Sequence, residues 1–466
     1  MNTNKIRKLA EQAKELGARF VQGGKQRLGG LFTPKQLQEM VKETVGSYRE
    51  RDYGPVKTLQ LFLDQVLGSD HSCRSAVAHG ASRRAGRTGK VASLNTGPYC
   101  KARKRLPLAL IERVSAAAVQ QMNQRQDKSW LWRGRPVKLV DGTTVSMPDT
   151  ADNHAQFSGK KQKQGMEFPR GRLVGVISLS CAAVLDWALG PYEGKGTGEC
   201  ALLRQLIRGI VCGDVVITDR AYAGYFMIAE LLAQGADIVM RQHQTRKTDW
   251  RRGRRLGKRD HVVQWVRPPR PQWMDETDYA AMPETLEMRE VRVGQWTLIS
   301  SLCDAKEVTK ADLNALYLRR WHVELDLRSI KQGMKMDVLR CKTAELVRKE
   351  VAVHLLAYNL VRAVMAQAAV IGRVLPRHLS FQSTLQVLNE FKHTLIGCAC
   401  RRLIALHEQL LYRIQQLRLP YRPDRVEPRA VKRRPKPHRL LNQPRAVARA
   451  ALRKQQDRIF TMILEA

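Results

Sequence analysis

Apolar residues recur at helical spacing through most of the first 130 residues of the chain. Thr33-Pro34 predicts a helix start, since a threonine side chain caps free amides and proline is tolerated at the first helical position. Pro55 opens a second helix through LQLFLDQVLG, which Gly68 ends. A third, short helix covers Ser72 to His79. ASRRAGRTGKVASLNTG, which follows, has no apolar period and reads as a basic loop; PYCKARKRLPLALIERV then feeds a helix after Pro107. Short helices with interleaved basic loops fit a helix-turn-helix-like DNA module or a generic helical domain with a basic surface, and the sequence leaves both open. MNTNKIRKLAEQAKELG, at the start, is an amphipathic helix candidate without the apolar segment of a secretory signal.

At Val137 the period shortens to that of strands. VKLVDGTTVSM opens with an apolar run ending in Asp141. RLVGVISLSCAAVLDWALGPY reads as two adjacent strands around Cys181 to Ala183. The Gly-rich EGKGTGE (Glu193 to Glu199) lacks the spacing of a P-loop and leads into a helix, CALLRQLIRGI. DVVITD is a short β-branched run typical of a buried strand, ending at Asp219. A helix from about Tyr222 to Ala233 and a strand, ADIVMR, follow. From about 242 to 305 the alternation gives way to short strands, read as an all-β insertion. Thr309 caps the next helix, with Asp312 in its first turn. ELVRKEVAVHLLAYNLVRAVMAQAAVIG predicts a long helix, with further helices over Leu379–Phe391, Arg401–Leu417 and Ala446–Glu465. The Pro/Arg-rich tail from Tyr421 reads as extended or disordered when free. The expected fold is α/β: a mixed sheet flanked by helices over 131–345, with the β insertion inside it. A helical N-terminal region covers 1–130, a helical C-terminal region 346–420 and a basic tail 421–466.

Charge narrows the function. The 466 residues hold 81 Lys+Arg against 43 Asp+Glu, a net charge of +38, which calls for a polyanionic partner. No run of about 18 apolar residues stands out, so no membrane span is expected. The expected location is the cytosol. The nine cysteines are scattered, with Cys398 and Cys400 the one close pair, and no zinc-ligand spacing appears.

Tyr317, Arg320, Glu324 and Lys331 then stand out in YLRRWHVELDLRSIK. On a continuous helix they fall within about 60° of arc. Leu316, Val323, Leu327, Ile330 and Met334 form a separate apolar stripe that anchors it. The neighbouring face therefore presents a carboxylate, two cations and a phenol, as a metal ion held against a nucleic-acid backbone requires. Asp141 and Asp219 add two carboxylates at strand ends. Phosphodiester chemistry needs an activated hydroxyl and a stabilised leaving oxygen; two Mg²⁺ ions about 3.5–4 Å apart supply both and prefer carboxylate oxygens. Strand, strand, helix is the order in which a ribonuclease-H-like fold supplies such ligands. Asp149 reads as a turn residue, Asp186 as a polar position inside a strand, and Asp326 as solvated and facing away from Glu324. His322 and His354 read as structural. The basic runs at 246–258 and 431–439 read as DNA-backbone contacts.

The chain resembles bacterial insertion-sequence DDE transposases of the branch with a Tyr-Arg-Glu-Lys signature, the insertion-sequence-four type. The signature spacing is met without deviation at Tyr317, Arg320, Glu324 and Lys331. DGTTVSMPD around Asp141 and TDRAY around Asp219 are similar to the two Asp motifs; they lie 78 residues apart, with 105 more to Glu324. YCKARKRLP and VKRRPKPHRLL are similar to family terminal segments, so the likeness spans nearly the whole chain. It implies a ribonuclease-H-like catalytic core in which Asp141, Asp219 and Glu324 are catalytic and hold Mg²⁺, for which Mn²⁺ can substitute. It further implies that Tyr317, Arg320 and Lys331 grip phosphates near the transposon end, with Arg220 a further phosphate contact. Members often form a DNA hairpin with an extruded base stacked on an aromatic ring. Trp296, in QWTLIS, and Trp321 are similar to those aromatics; the alternative for each is plain packing. The implied function is cut-and-paste transposition: Mg-dependent cleavage and strand transfer on double-stranded DNA, from terminal inverted repeats to a target, by a homodimer. A ribonuclease-H-like nuclease without end specificity and an inactive DNA-binding relic are the alternatives.

Overall fold

The computed structural model describes residues 31–420, apart from 50–51, 90, 158–160, 163–164, 167 and 398–399, together with 443 and 445–464. The helix read at the extreme N-terminus, the basic tail with its run at 431–439, and Cys398 lie outside the described residues.

Among the described residues, five α-helices precede the sheet. α1 (Pro34–Val45) opens with a capping box between Thr33 and Gln36. α2 (Pro55–Leu67) stops at Gly68, as read. α3 runs Cys73–Thr88, well past the expected end at His79. The alanines and arginines of the supposed loop favour helix, and Gly89, at φ 67°, supplies the left-handed stop. α4 (Gly97–Arg105) and α5 (Leu108–Gln124) complete the group.

The strands are β1 (Val137–Ser146), β2 (Arg170–Ser178), β3 (Val184–Pro191), β4 (Val215–Thr218), β5 (Asp237–Arg241), β6 (Arg254–Gly257), β7 (Asp260–Val266), β8 (Thr285–Val293) and β9 (Trp296–Ser300). They form one nine-stranded sheet in the order β3-β2-β1-β4-β5-β9-β8-β7-β6. β1, β2 and β3 are an antiparallel meander. β4 runs parallel to β1 and β5 parallel to β4. A short helix, α6 (Ala151–Gln156), follows β1, while α7 (Glu199–Leu206) and α8 (Tyr225–Ala233) cross over to β4 and β5. Three antiparallel strands followed by two parallel ones is the ribonuclease-H-like arrangement. The insertion is present, but it extends the same sheet: β9 pairs with β5 and carries β8, β7 and β6 outward. A six-residue helix, α9 (Glu276–Ala281), interrupts it.

Both faces of the central strands are covered, which explains their unbroken apolar runs. Val140, Val174, Val216 and Ile238 face α7 and α8 through Leu203 and Ile228. Leu139, Ile177, Ile217 and Val239 share the opposite core with α10 (Lys310–Leu318), α11 (Trp321–Arg328) and α12 (Ala344–Gly372). That core continues into the N-terminal helices through Leu59 and Leu110, and into α13 (Phe381–Gly397) and α14 (Cys400–Gln416) through Leu385 and Leu410. α15 (Arg445–Leu464) is the last helix. Among the described residues one helix, α12, holds an 18-residue window long and apolar enough, by length and composition only, to cross a membrane. Two thirds of that window is buried in the protein, because α2, α5 and α14 pack around it.

Candidate active site

β1 does not end at Asp141; it runs on to Ser146, with Asp141 opposite Gly175 of β2. The special feature of Asp141 lies on its other side. β4 pairs with Val137 to Leu139 alone and stops at Thr218. Beyond Leu139 and until Ser146, which bridges to Val338, β1 has no strand partner on that side, so Asp141 stands where two parallel strands part. Asp219 is the next residue after β4 and caps a short 3-10 turn, Arg220–Tyr222, its Oδ1 accepting the Ala221 amide at 2.8 Å. Glu324 comes from the first turn of α11.

Arg320 links two of these carboxylates. Its Nη2 donates to Glu324 Oε1 at 2.7 Å, and its Nη1 lies 3.7 Å from Asp141 Oδ2. Burial pushes the Asp141 carboxyl up to about 6; the Gly142 amide and Arg320 oppose this, and the charges of Asp219 and Glu199 add to it. Glu199 and the buried Tyr222 beside it were not foreseen in the sequence. The one signal was the glycine following Asp141, where a strand position without a side chain leaves room for another group.

Among the described residues, no three His, Cys, Asp or Glu side chains converge closely enough to enclose one ion. The guanidinium of Arg320 lies between Asp141 and Glu324, so that space already accepts a cation. The carboxylates at hand offer hard oxygen donors, which suit Mg²⁺ or Mn²⁺ rather than zinc or copper. The donor chemistry is therefore that of a hard divalent cation, although as they stand the carboxylates do not close around one.

The signature stretch is not one continuous helix. After α10 the amides of Arg319, Arg320, His322 and Val323 bond to the carbonyls of Leu316, Tyr317, Arg319 and Arg320, three residues back. A π turn, Ser329–Gly333, follows α11 and carries Lys331. The apolar stripe holds: Leu316, Val323, Leu327, Ile330 and Met334 are all buried. Tyr317, expected on the open face, is only 6% exposed and meets Trp296 edge-on, ring centroids 6.3 Å apart. Burial raises its phenol pKa, opposed by Arg320 and Arg241. Trp296, the first residue of β9, is 40% exposed, with the Arg241 guanidinium 5.1 Å from its ring centroid. Trp321 is 52% exposed, with Arg320 5.6 Å from its ring centroid. Arg220 is exposed and Lys331 half-buried. Trp296, Tyr317, Arg320, Glu324 and Asp141 thus form one connected group.

Asp326 contradicts its reading as solvated. It is 1% exposed, ion-paired to Arg362 and Arg377 at 2.9 Å each, and accepts a hydrogen bond from Tyr358 at 3.2 Å. α12 crosses behind α11 and buries a wider face than the apolar stripe marks. His322 and His354 stay structural: burial pushes both down to about 4, and His354 stacks on His71. Asp149 bonds His154 at 2.8 Å. Asp186 accepts the Trp187 amide at 2.8 Å and sits near Lys138, at the far end of β1. In the basic run, Arg251, Arg252, Arg254 and Arg255 are exposed, whereas Arg246 lies 3.5 Å from the Trp265 ring centroid.

The family described as Transposase DDE domain matches residues 132–360, a span that holds Asp141, Asp219 and the whole Tyr317–Lys331 stretch. Over 347 residues the chain is 29% identical to the transposase InsG for insertion sequence element IS4 of Escherichia coli (strain K12), covering 72% of this chain and 76% of that protein. A solved piggyBac transposase synaptic complex with hairpin DNA shares 9% identity over 85% of each chain, with a TM-score of 0.40. So distant a likeness says nothing about the site. The family match, the IS4 relative and the ribonuclease-H-like sheet together place the chain in the IS4-type DDE transposases, enzymes that cut and rejoin DNA with a divalent metal ion.

Proposed function

We propose that Asp141, Asp219 and Glu324 are the catalytic carboxylates and the ligands of the divalent ions, with Mg²⁺ the working metal and Mn²⁺ its substitute. The observation that carries this is the Arg320 guanidinium between Asp141 and Glu324, on a strand and a helix far apart in sequence, with the charge of Asp219 acting on Asp141. When bound, the ions supply an activated water or 3′-hydroxyl and neutralise the leaving oxygen. The chain itself does the rest. Arg320, released from its two carboxylates, binds a phosphate near the transposon end. Lys331 on the π turn and exposed Arg220 take neighbouring phosphates. Tyr317 is held by Trp296 and Arg320 and reaches the same backbone through its hydroxyl.

Trp296, against Tyr317, and Trp321, beside Arg320, are exposed rings, and each offers a face on which an extruded base stacks. That supports a pathway in which the freed 3′-hydroxyl attacks the opposite strand and closes a hairpin. The substrates are the element's terminal inverted repeats and a target duplex, held by two copies of the chain, and the charge of +38 supports residence on the bacterial nucleoid. We divide the chain into a DNA-binding helical region (1–130), the catalytic domain (131–345, insertion at 242–305), a helical region (346–420) and a basic tail (421–466). The test is cleavage of a labelled duplex carrying the element's own end. Nicking followed by a hairpin supports the pathway. Random cutting favours a nuclease without end specificity, and binding without cleavage favours a relic.

A further inference from the structure

Glu199 lies in the first turn of α7, after the loop that brings the chain back from β3. Its side chain packs against Gly142, the residue after Asp141. A Cβ at Gly142 would collide with the Glu199 carboxylate, with Cγ only 2.8 Å away. The missing side chain is therefore what lets this carboxylate reach the strand. Cys200 Sγ donates to the Ala221 carbonyl at 3.5 Å, tying the first turn of α7 to the turn that Asp219 caps. Glu199 thus lies against the residue after Asp141, on a helix tied to the turn that Asp219 caps. Among the described residues it has no cationic partner.

Tyr222 is an independent observation. It is 0% exposed, and its hydroxyl finds no hydrogen-bond partner. Burial first, then the charges of Glu199, Asp141 and Asp219 in that order, hold its phenol pKa well above the ordinary value. A buried hydroxyl left unpaired costs free energy and calls for a bound group. The hydroxyl is near enough to the Glu199, Asp141 and Asp219 carboxylates to feel their charge.

From these positions we propose that Glu199 is a fourth carboxylate of the divalent-cation site, reaching it through the space at Gly142, with the Tyr222 hydroxyl donating to a water in the same shell. The inference rests on the reading of Asp141 as a cation ligand. The alternative is a carboxylate that merely stabilises the start of α7.

Mn²⁺ binding to the full-length chain, followed by calorimetry with and without an end duplex, separates these, with melting temperature in EDTA as the fold control. Asp141→Asn tests the site reading. If Glu199 belongs to the shell, Glu199→Gln weakens Mn²⁺ binding about tenfold or more, without lowering the melting temperature. Gly142→Ala weakens it similarly by pushing the carboxylate aside, and decides the matter should Glu199→Gln fail to fold. Wild-type Mn²⁺ affinity in Glu199→Gln and Gly142→Ala, with binding lost in Asp141→Asn, overturns the fourth carboxylate and leaves the site reading standing. Undiminished binding in Asp141→Asn, or none in the wild type, overturns both.

Discussion

At the scale of single residues, Asp141 carries the clearest electrostatic consequence. Its carboxyl is pushed up to about 6 in the folded chain, from 3.8 ordinarily. Between those values the folded state binds more protons than the unfolded one, so stability falls as pH rises through that window. Above it, the cost of the buried charge is complete, at most about 3 kcal/mol. Asp141→Asn is therefore expected to raise the melting temperature in EDTA at pH 7 and to lose that advantage near pH 4, as a thermal melt series will show. Cation binding needs the ionised form, so Mn²⁺ affinity should drop as pH falls through about 6. Affinity independent of pH from 5 to 8 would argue against Asp141 as a ligand. Trp296→Ala is expected to leave first-strand nicking intact and to slow hairpin formation roughly tenfold to a hundredfold, from a stacking loss of about 1–3 kcal/mol per base. Gel-resolved time courses separate the two steps.

At the scale of elements, the Glu324 segment is held from behind. Asp326 and the guanidinium groups of Arg362 and Arg377 fasten α11 to α12 and to the short turn after it. Asp326→Ala leaves two buried cations without their partner and is expected to cost about 3–5 kcal/mol by denaturant unfolding. A change below 1 kcal/mol would mean that the clamp is dispensable. None of this was legible in the sequence, because an Asp two positions from Glu324 looks solvated until another helix is known to pass behind it. The break between α10 and α11 was hidden for a similar reason: YLRRWHVELDLRSIK contains no glycine or proline to mark it. The caps and stops were legible, since Thr33, Gly68 and Thr309 act through local chemistry alone. The second half of α3, beyond His79, was missed because an Ala/Arg-rich stretch without an apolar period carries helical propensity but no pattern.

At the scale of the whole molecule, the alternation of strands and helices after Val137 already contained the sheet, and Asp219 and Glu324 stand at a strand end and on a helix as read, whereas Asp141, also read at a strand end, lies inside β1. That the insertion would prolong the same sheet could not be read, because strand order depends on pairing between β5 and β9, which sequence spacing does not report. Glu199 escaped for the same reason: its approach to Gly142 exists only once α7 is laid over β1. The charge of +38 has a direct consequence in solution. The logarithm of DNA affinity should fall linearly with the logarithm of salt, by about 0.9 per phosphate neutralised. Replacing exposed Arg251 or Arg255 with Gln should reduce that slope by about 1 each wherever a phosphate is contacted. A flat salt response would contradict the electrostatic reading of the surface.

The most direct test of the central claim is strand cleavage and transfer by the purified chain on its own labelled end, in Mg²⁺ and in EDTA, for the wild type and Glu324→Gln side by side. The site described here gives Mg²⁺-dependent nicking, hairpin and joined products with the wild type. With Glu324→Gln it gives none, while end binding and melting temperature are retained. Products that persist in the variant, or that form in EDTA, would contradict it.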